Sequence, residues 1–283
     1  MALASIALIG IGVGLVMGLT GAGGGILAVP ALIYAMGWSI QETTPVALLA
    51  VTMGAAFGAI DGLRQKQVRY RAALLMAAVG MPLTSVGVQL AQQLPQAWLL
   101  AAFAALLLLV AYRLLKKNAS ATTQQTQQTQ QAPASATPVE HAKALAHINP
   151  ATGRFNWTPR AIASIASIGA VAGFTAGLLG VGGGFVIVPM LRRYTNASMH
   201  IAVATSLLVI ALVGAAGFGS SLAHGANIPW ILTTWFVIAT VLGMALGRRV
   251  TRLLSAQMVQ FYFALLLLLV AAYLLVKVVK MVA

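Results

Sequence analysis

Two octapeptides, Gly18-Leu-Thr-Gly-Ala-Gly-Gly-Gly25 and Gly177-Leu-Leu-Gly-Val-Gly-Gly-Gly184, carry the densest chemical signal in this 283-residue chain. Each is followed by Val-Pro, at Val29-Pro30 and Val188-Pro189. Glycine has no Cβ, so such a turn can be tight and can bring peptide N–H groups close to a ligand. A short helix is expected to open behind each turn, at Ile26 and at Phe185, with the positive end of its dipole at the N-terminus. Two such ends facing one another favour an anion. The residues expected to contact it are Gly21, Gly23, Gly24 and Gly25 in the first turn and Gly180, Gly182, Gly183 and Gly184 in the second. Thr20 adjoins the first turn and offers a hydroxyl. The competing reading is close helix packing, the common use of small residues in membranes, and it suffices for most of the 28 glycines. Neither turn is a nucleotide-binding loop, because neither follows a strand or carries the P-loop lysine.

Few other side chains can do chemistry. Thr43, Thr44 and Pro45 open the third segment, where the counterparts of Ala204, Thr205 and Ser206 fall. Thr205 and Ser206 either face the same cavity or bond back to the preceding helical turn. The acidic residues are Glu42, Asp61 and Glu140. Glu42 suits solvent or a helix cap. Asp61 is the one carboxylate inside an expected span, where it either exchanges protons or pairs with Arg64. His224 is read as an interfacial histidine, with proton sensing the alternative. No paired carboxylates, metal-ligand spacing or nucleophile–base set occurs. The absence of cysteine excludes disulfides and thiolate sites. No enzyme activity, metal or cofactor is expected.

The elements that must hold these residues are membrane helices. The chain is 60% hydrophobic and 7% charged, against about 25% charged in soluble domains. Several apolar runs reach the roughly 20 residues that cross a bilayer. A formal charge of +14 points to membrane topology rather than nucleic acid, since the basic residues sit at the ends of apolar runs without interleaved aromatics. The first apolar run lacks a basic leader region and is expected to be retained. From Asn118 to Trp157 the apolar runs give way to a Gln/Thr tract and Ala/Pro/Ser-rich sequence, expected to be a disordered linker.

The flanking parts, 1–117 and 158–283, repeat each other. The glycine turns align at an offset of 159, and Gly54-Ala-Ala56 aligns with Gly214-Ala-Ala216 at 160. Each half reads as five helical segments, at 3–19, 26–37, 43–63, 72–92 and 97–115, and at 160–178, 185–194, 200–222, 228–247 and 256–276. The short second segments reach about halfway across the membrane. Basic residues favour the cytoplasmic side. Their cluster lies between the third and fourth segments in one half (Arg64, Lys66, Arg69, Arg71) and between the fourth and fifth in the other (Arg248, Arg249, Arg252). That shift predicts inverted repeats, each a re-entrant glycine-turn hairpin plus three transmembrane helices. Under this reading 15 of the 17 Lys and Arg residues are cytoplasmic, Lys277 and Lys280 excepted. Both termini are then periplasmic and the linker cytoplasmic. Irregular backbone inside a membrane is tolerated only where buried or lining a cavity, so the two turns are expected to meet near the midplane.

The duplicated Gly-x-Gly-Gly-Gly turns with Val-Pro, together with Ala204-Thr-Ser-Leu-Leu208, resemble the TauE/SafE family of sulfite exporters over 5–116 and 160–277. In the first half Pro45-Val46 replaces the Thr-Ser pair. The resemblance implies eight or so membrane segments and an inner-membrane secondary transporter of a small sulfur-containing anion, such as sulfite, sulfoacetate or another organosulfonate. An uncoupled channel is the alternative. The implied partners are that anion and the lipid bilayer, with a monomer and a homodimer both left open.

Overall fold

In lipid an apolar segment must satisfy its own backbone groups, and a helix does so within one segment. The computed structural model describes residues 2–21, 24–128, 158–195, 198–251 and 256–282. The first half holds α1 (Ala2–Thr20), a 3₁₀ turn (Gly24–Leu27) leading into α2 (Ala28–Met36), α3 (Ile40–Arg64), α4 (Tyr70–Gln93) and α5 (Gln96–Gln128). The second holds α6 (Pro159–Leu179), α7 (Gly184–Tyr194), α8 (Met199–Ala223), α9 (Trp230–Val250) and α10 (Ala256–Val282). Among the described residues, seven of these helices (α3 to α6 and α8 to α10) are long and apolar enough to cross a membrane.

Local chemistry fixes several boundaries. The Ser39 hydroxyl accepts from the Glu42 N–H, and the Glu42 carboxylate accepts from the Ser39 N–H at 2.8 Å, a capping box that starts α3. The Thr158 and Ser198 hydroxyls accept from the Ala161 and Ile201 N–H groups and cap α6 and α8, without a reciprocal carboxylate. At its far end α5 runs on to Gln128, through the first eleven residues of the expected linker. Extending a formed helix adds one hydrogen bond per residue, whereas starting one is costly. The remainder of the expected linker, 129–157, lies outside the described residues.

Two seams of glycine bring helices from different halves together. Gly10, Gly14 and Gly18 of α1 lie against Ala239, Thr240 and Met244 of α9, and Gly243 and Gly247 return the contact at Ile11 and Leu15. Residue numbers rise together along this seam, so α1 and α9 run parallel. In the second seam Gly169, Gly173 and Gly177 of α6 meet Met76, Gly80 and Thr84 of α4, again in parallel. Thr84 adds a hydrogen bond from its hydroxyl to the Gly173 carbonyl at 2.9 Å. A Cβ on Gly14 or Gly177 would overlap a carbonyl oxygen of the partner helix. Backbone contact of this closeness is how small residues hold helices together in lipid.

Between the seams α3 and α8 cross in antiparallel fashion. Gly62 meets Ala204, Gly58 meets Leu207, Gly214 meets Thr52 and Gly217 meets Leu48. The ends of α3 and α9 and the starts of α4, α6 and α8 therefore share one end of the bundle. This end carries Arg64, Arg160, Arg192 and Arg248 and is termed the basic face. The pair α5 and α10 packs at the periphery, burying Phe103, Leu107 and Leu267 while Trp98, Tyr262 and Leu269 point outward.

Candidate functional site

The first helix of each hairpin is longer than a half-membrane element. With 19 and 21 residues, α1 and α6 rise about 28 and 31 Å. Each runs almost to the opposite face before the chain doubles back. Gly21, with φ 77°, lies against Val203 at the start of α8, on the basic face. Gly180, the left-handed cap of α6, lies against Val29 and Thr44 at the other face. These two expected site residues are thus on opposite sides of the bundle and share no pocket. The chain then returns to the middle. A Cβ built on Gly25 would meet the Val51 side chain at 3.0 Å and the Val181 carbonyl at 3.3 Å. One on Gly182 would meet Val51 at 2.8 Å and Ile210 at 3.0 Å. Val51 and Ile210 lie midway along α3 and α8, so Gly25, Val181 and Gly182 meet at the centre.

The other turn residues have packing roles. Gly24 sits on the α1 backbone at Met17, and Gly183 sits on the α6 backbone at Ala172, so neither has room for a side chain. Gly183, in the left-handed region, instead caps α7, with its carbonyl accepting from Val186 and Ile187. Gly184 is buried as the first residue of that helix. The N–H groups preceding the first ladder bond of α7 lack helical partners, as at any helix start. Gly23 lies outside the described residues. The Thr20 hydroxyl bonds back to the Val16 carbonyl at 2.8 Å and the Ser206 hydroxyl to Val203 at 2.9 Å. Thr205, fully buried, accepts from the Arg69 N–H at 3.1 Å and so ties α8 to the start of α4.

The residue sequence reasoning missed is Thr52. Thr44, Thr84, Thr240 and Thr251 each donate to the carbonyl four residues back. The Thr52 hydroxyl has no partner although the residue is 8% exposed. It follows Val51 and points at Gly214, where α3 and α8 cross. A buried hydroxyl without a partner costs on the order of 1–3 kcal/mol. Nothing local in the sequence separates Thr52 from the threonines that bond back.

Asp61 is at the basic end of α3. Its carboxylate pairs with Arg248 of α9 at 2.6 Å, rather than with Arg64, and accepts from Gln65 at 3.0 Å. Arg248 also donates to the Gly58 carbonyl at 2.9 Å. Glu42 serves the α3 cap, and the exposed His224 ring contacts the Ser220 carbonyl at 2.7 Å. At the face opposite the basic one, Gln41, Thr44, Val88, Gln92, Gly177 and Ser221 line a small recess of about 20 Å³.

The uncharged turns meet at the centre of a helical bundle, and sequence comparison assigns its lineage. The family model described as "Sulfite exporter TauE/SafE" matches residues 6–274. The chain belongs to the TauE/SafE family. A probable membrane transporter protein of Xylella fastidiosa (strain Temecula1) is 27% identical over 266 residues, covering 92% of this chain and 90% of that protein. The probable membrane transporter protein YunE of Bacillus subtilis (strain 168) is 24% identical, covering 94% of each. No solved structure matches significantly. This TauE/SafE chain is a multi-pass membrane transporter and not an enzyme.

Proposed function

We propose that the protein is a secondary transporter of a small sulfur-containing anion, sulfite or an organosulfonate such as sulfoacetate, working by alternating access across a bacterial inner membrane. The observation that carries this reading is the meeting of Gly25, Val181 and Gly182 around Val51, next to the unpartnered Thr52 hydroxyl. Peptide N–H groups at two helix starts and one hydroxyl form a donor set without formal charge, suited to an oxyanion that must also be released. Val51 fills the space between the turns, so binding requires them to part. In this reading the two halves are inverted repeats. The antiparallel crossing of α3 and α8 supports that relation, as does the exchange of partners in the seams, α1 with α9 and α6 with α4. The basic face is assigned to the cytoplasm, which puts both termini in the periplasm and the linker inside.

Thr52→Val keeps the shape of the side chain and removes the donor. A hydrogen bond to a charged ligand contributes about 1.5 kcal/mol or more, so half-saturation for sulfite or sulfoacetate should rise roughly tenfold, with unchanged protein yield. Counterflow in proteoliposomes reads this directly, because only a carrier shows exchange accelerated by internal substrate. Wild-type half-saturation in the variant would remove Thr52 from the site, and absence of accelerated exchange in the parent would favour a channel.

A further inference from the structure

The two halves fill one helix junction differently. Gly87 of α4 packs on Phe174 and Gly177 of α6, and Gly247 of α9 packs on Leu15 and Gly18 of α1, so the two helix pairs are equivalent at shifts of 159 and 160 residues. At a shift of 160, Val88 is the counterpart of Arg248 and Ser221 that of Asp61. On the basic face Arg248 lies beside Gly18, and its guanidinium donates to the Gly58 carbonyl at 2.9 Å and to the Asp61 carboxylate at 2.6 Å. The chain thus sets a cation of its own where α1, α3 and α9 end. At the opposite face α4, α6 and α8 end together. There Val88 replaces the arginine, and the recess of about 20 Å³ lies among Gln41, Thr44, Val88, Gly177 and Ser221.

The polar groups around this recess accept rather than donate. Thr44 is 4% exposed and Ser221 2%. Their hydroxyl protons go to the Ile40 carbonyl at 2.8 Å and the Gly217 carbonyl at 2.9 Å, so each oxygen has only lone pairs left to offer. Gln41 directs its amide nitrogen to the Ala91 and Leu94 carbonyls, at 3.5 and 3.4 Å, which leaves Oε1 as its acceptor. At Gly177 the recess touches the last turn of α6, whose final ladder bond runs from the Gly180 N–H to the Ala176 carbonyl. Carbonyls beyond such a bond lack helical partners, and the helix dipole makes this end negative. From this lining we infer that the recess is a binding site for one small monovalent cation, sodium being the abundant one. A space of this size holds about one water-sized body. No carboxylate lines it, which disfavours calcium and magnesium, and no titratable side chain lines it to hold a proton. Carbonyls at helix ends are an established means of holding sodium within membrane proteins. Without formal negative charge in the lining the affinity is low, and the surrounding salt sets the occupancy. A bound ion joins α3, α6 and α8 at one point, as Arg248 joins α9 to α3 at the other face. The site does not depend on which anion the protein carries.

The full chain in lipid nanodiscs, with no anionic substrate present, tests the site by binding of radioactive sodium and by melting in sodium chloride against choline chloride at equal ionic strength. The parent should bind sodium saturably and melt at a higher temperature in sodium than in choline. Thr44→Val and Ser221→Ala each remove one oxygen with little change of shape. Half-saturation for sodium should rise roughly tenfold in either variant, while melting in choline stays near that of the parent. Val88→Arg supplies the guanidinium that the counterpart position already has, and should abolish sodium binding and make melting independent of sodium. If that variant does not fold, the two hydroxyl variants decide. A parent that melts alike in both salts and takes up no sodium saturably would mean a recess that holds water only, and would overturn the site. Parent-like half-saturation in either hydroxyl variant would overturn it as well, by placing the ion elsewhere. Sodium binding at these residues in a protein that shows no counterflow of sulfite or sulfoacetate would leave the site standing and refute the substrate; counterflow by a protein that binds no sodium would do the converse.

Discussion

Gly14 on α1 and Gly25 in the first turn are both buried, yet they meet opposite kinds of neighbour. A Cβ on Gly14 would overlap the Thr240 carbonyl of α9, a backbone atom held in its own helical ladder. On Gly25 it would press on Val51, whose methyl groups can turn aside. The seams are thus rigid and the centre yields. Parallel helices locked backbone to backbone suit bodies that move as units, α1 with α9 and α6 with α4. Side-chain contact at the crossing of α3 and α8 suits the place where those bodies shift against one another.

The comparison breaks most readily in the seams. Gly14→Val or Gly177→Val puts branched carbons into a space occupied by carbonyl oxygen. Overpacking against backbone costs about 3 kcal/mol, and folded protein recovered by size-exclusion chromatography in detergent should fall nearly to nothing. Normal recovery of either variant would mean that the seams are looser than the distances imply. Gly25→Ala should behave differently, with near-normal yield and uptake reduced roughly tenfold, since Val51 must move by tenths of an ångström into the space a ligand needs. Adding Val51→Ala to Gly25→Ala should recover much of the uptake. Failure of that rescue would separate Gly25 from Val51 and move the site elsewhere.

How much of this was legible beforehand depends on the range of the interaction. Apolar runs and caps are local, so the Ile40–Arg64 helix and its Ser39/Glu42 start could be read from the residues themselves. Close packing was the expected use of most glycines, but neither the face that Gly10, Gly14 and Gly18 share nor its partner α9 was read from the sequence. The turn glycines looked alike in sequence. Only geometry assigns Gly24 and Gly183 to packing on their own first helices, Gly21 and Gly180 to opposite faces, and Gly25 and Gly182 to the centre. The partner of Asp61 lies in the other half of the chain, and no local pattern could prefer Arg248 over Arg64, one turn away. Thr52 stands out for a hydrogen bond it does not make, which composition cannot reveal.

The smallest expected effect tests whether the seam is a face or merely a glycine-rich helix. Gly12 lies between Gly10 and Gly14 on α1, and a Cβ there meets nothing within 4 Å. Helix geometry turns each residue about 100° from the last, so Gly12 points away from α9 while its neighbours at 10 and 14 point into it. Gly12→Ala should therefore leave uptake unchanged and alter thermal stability by less than about 1 kcal/mol, with the sign favouring alanine because glycine is the poorer helix former. A loss comparable to that of Gly14→Val, read by the same chromatography, would show that α1 is sensitive all round. In that case the rigid seam would owe its strength to the flexibility or slimness of the whole helix rather than to one stripe set against α9.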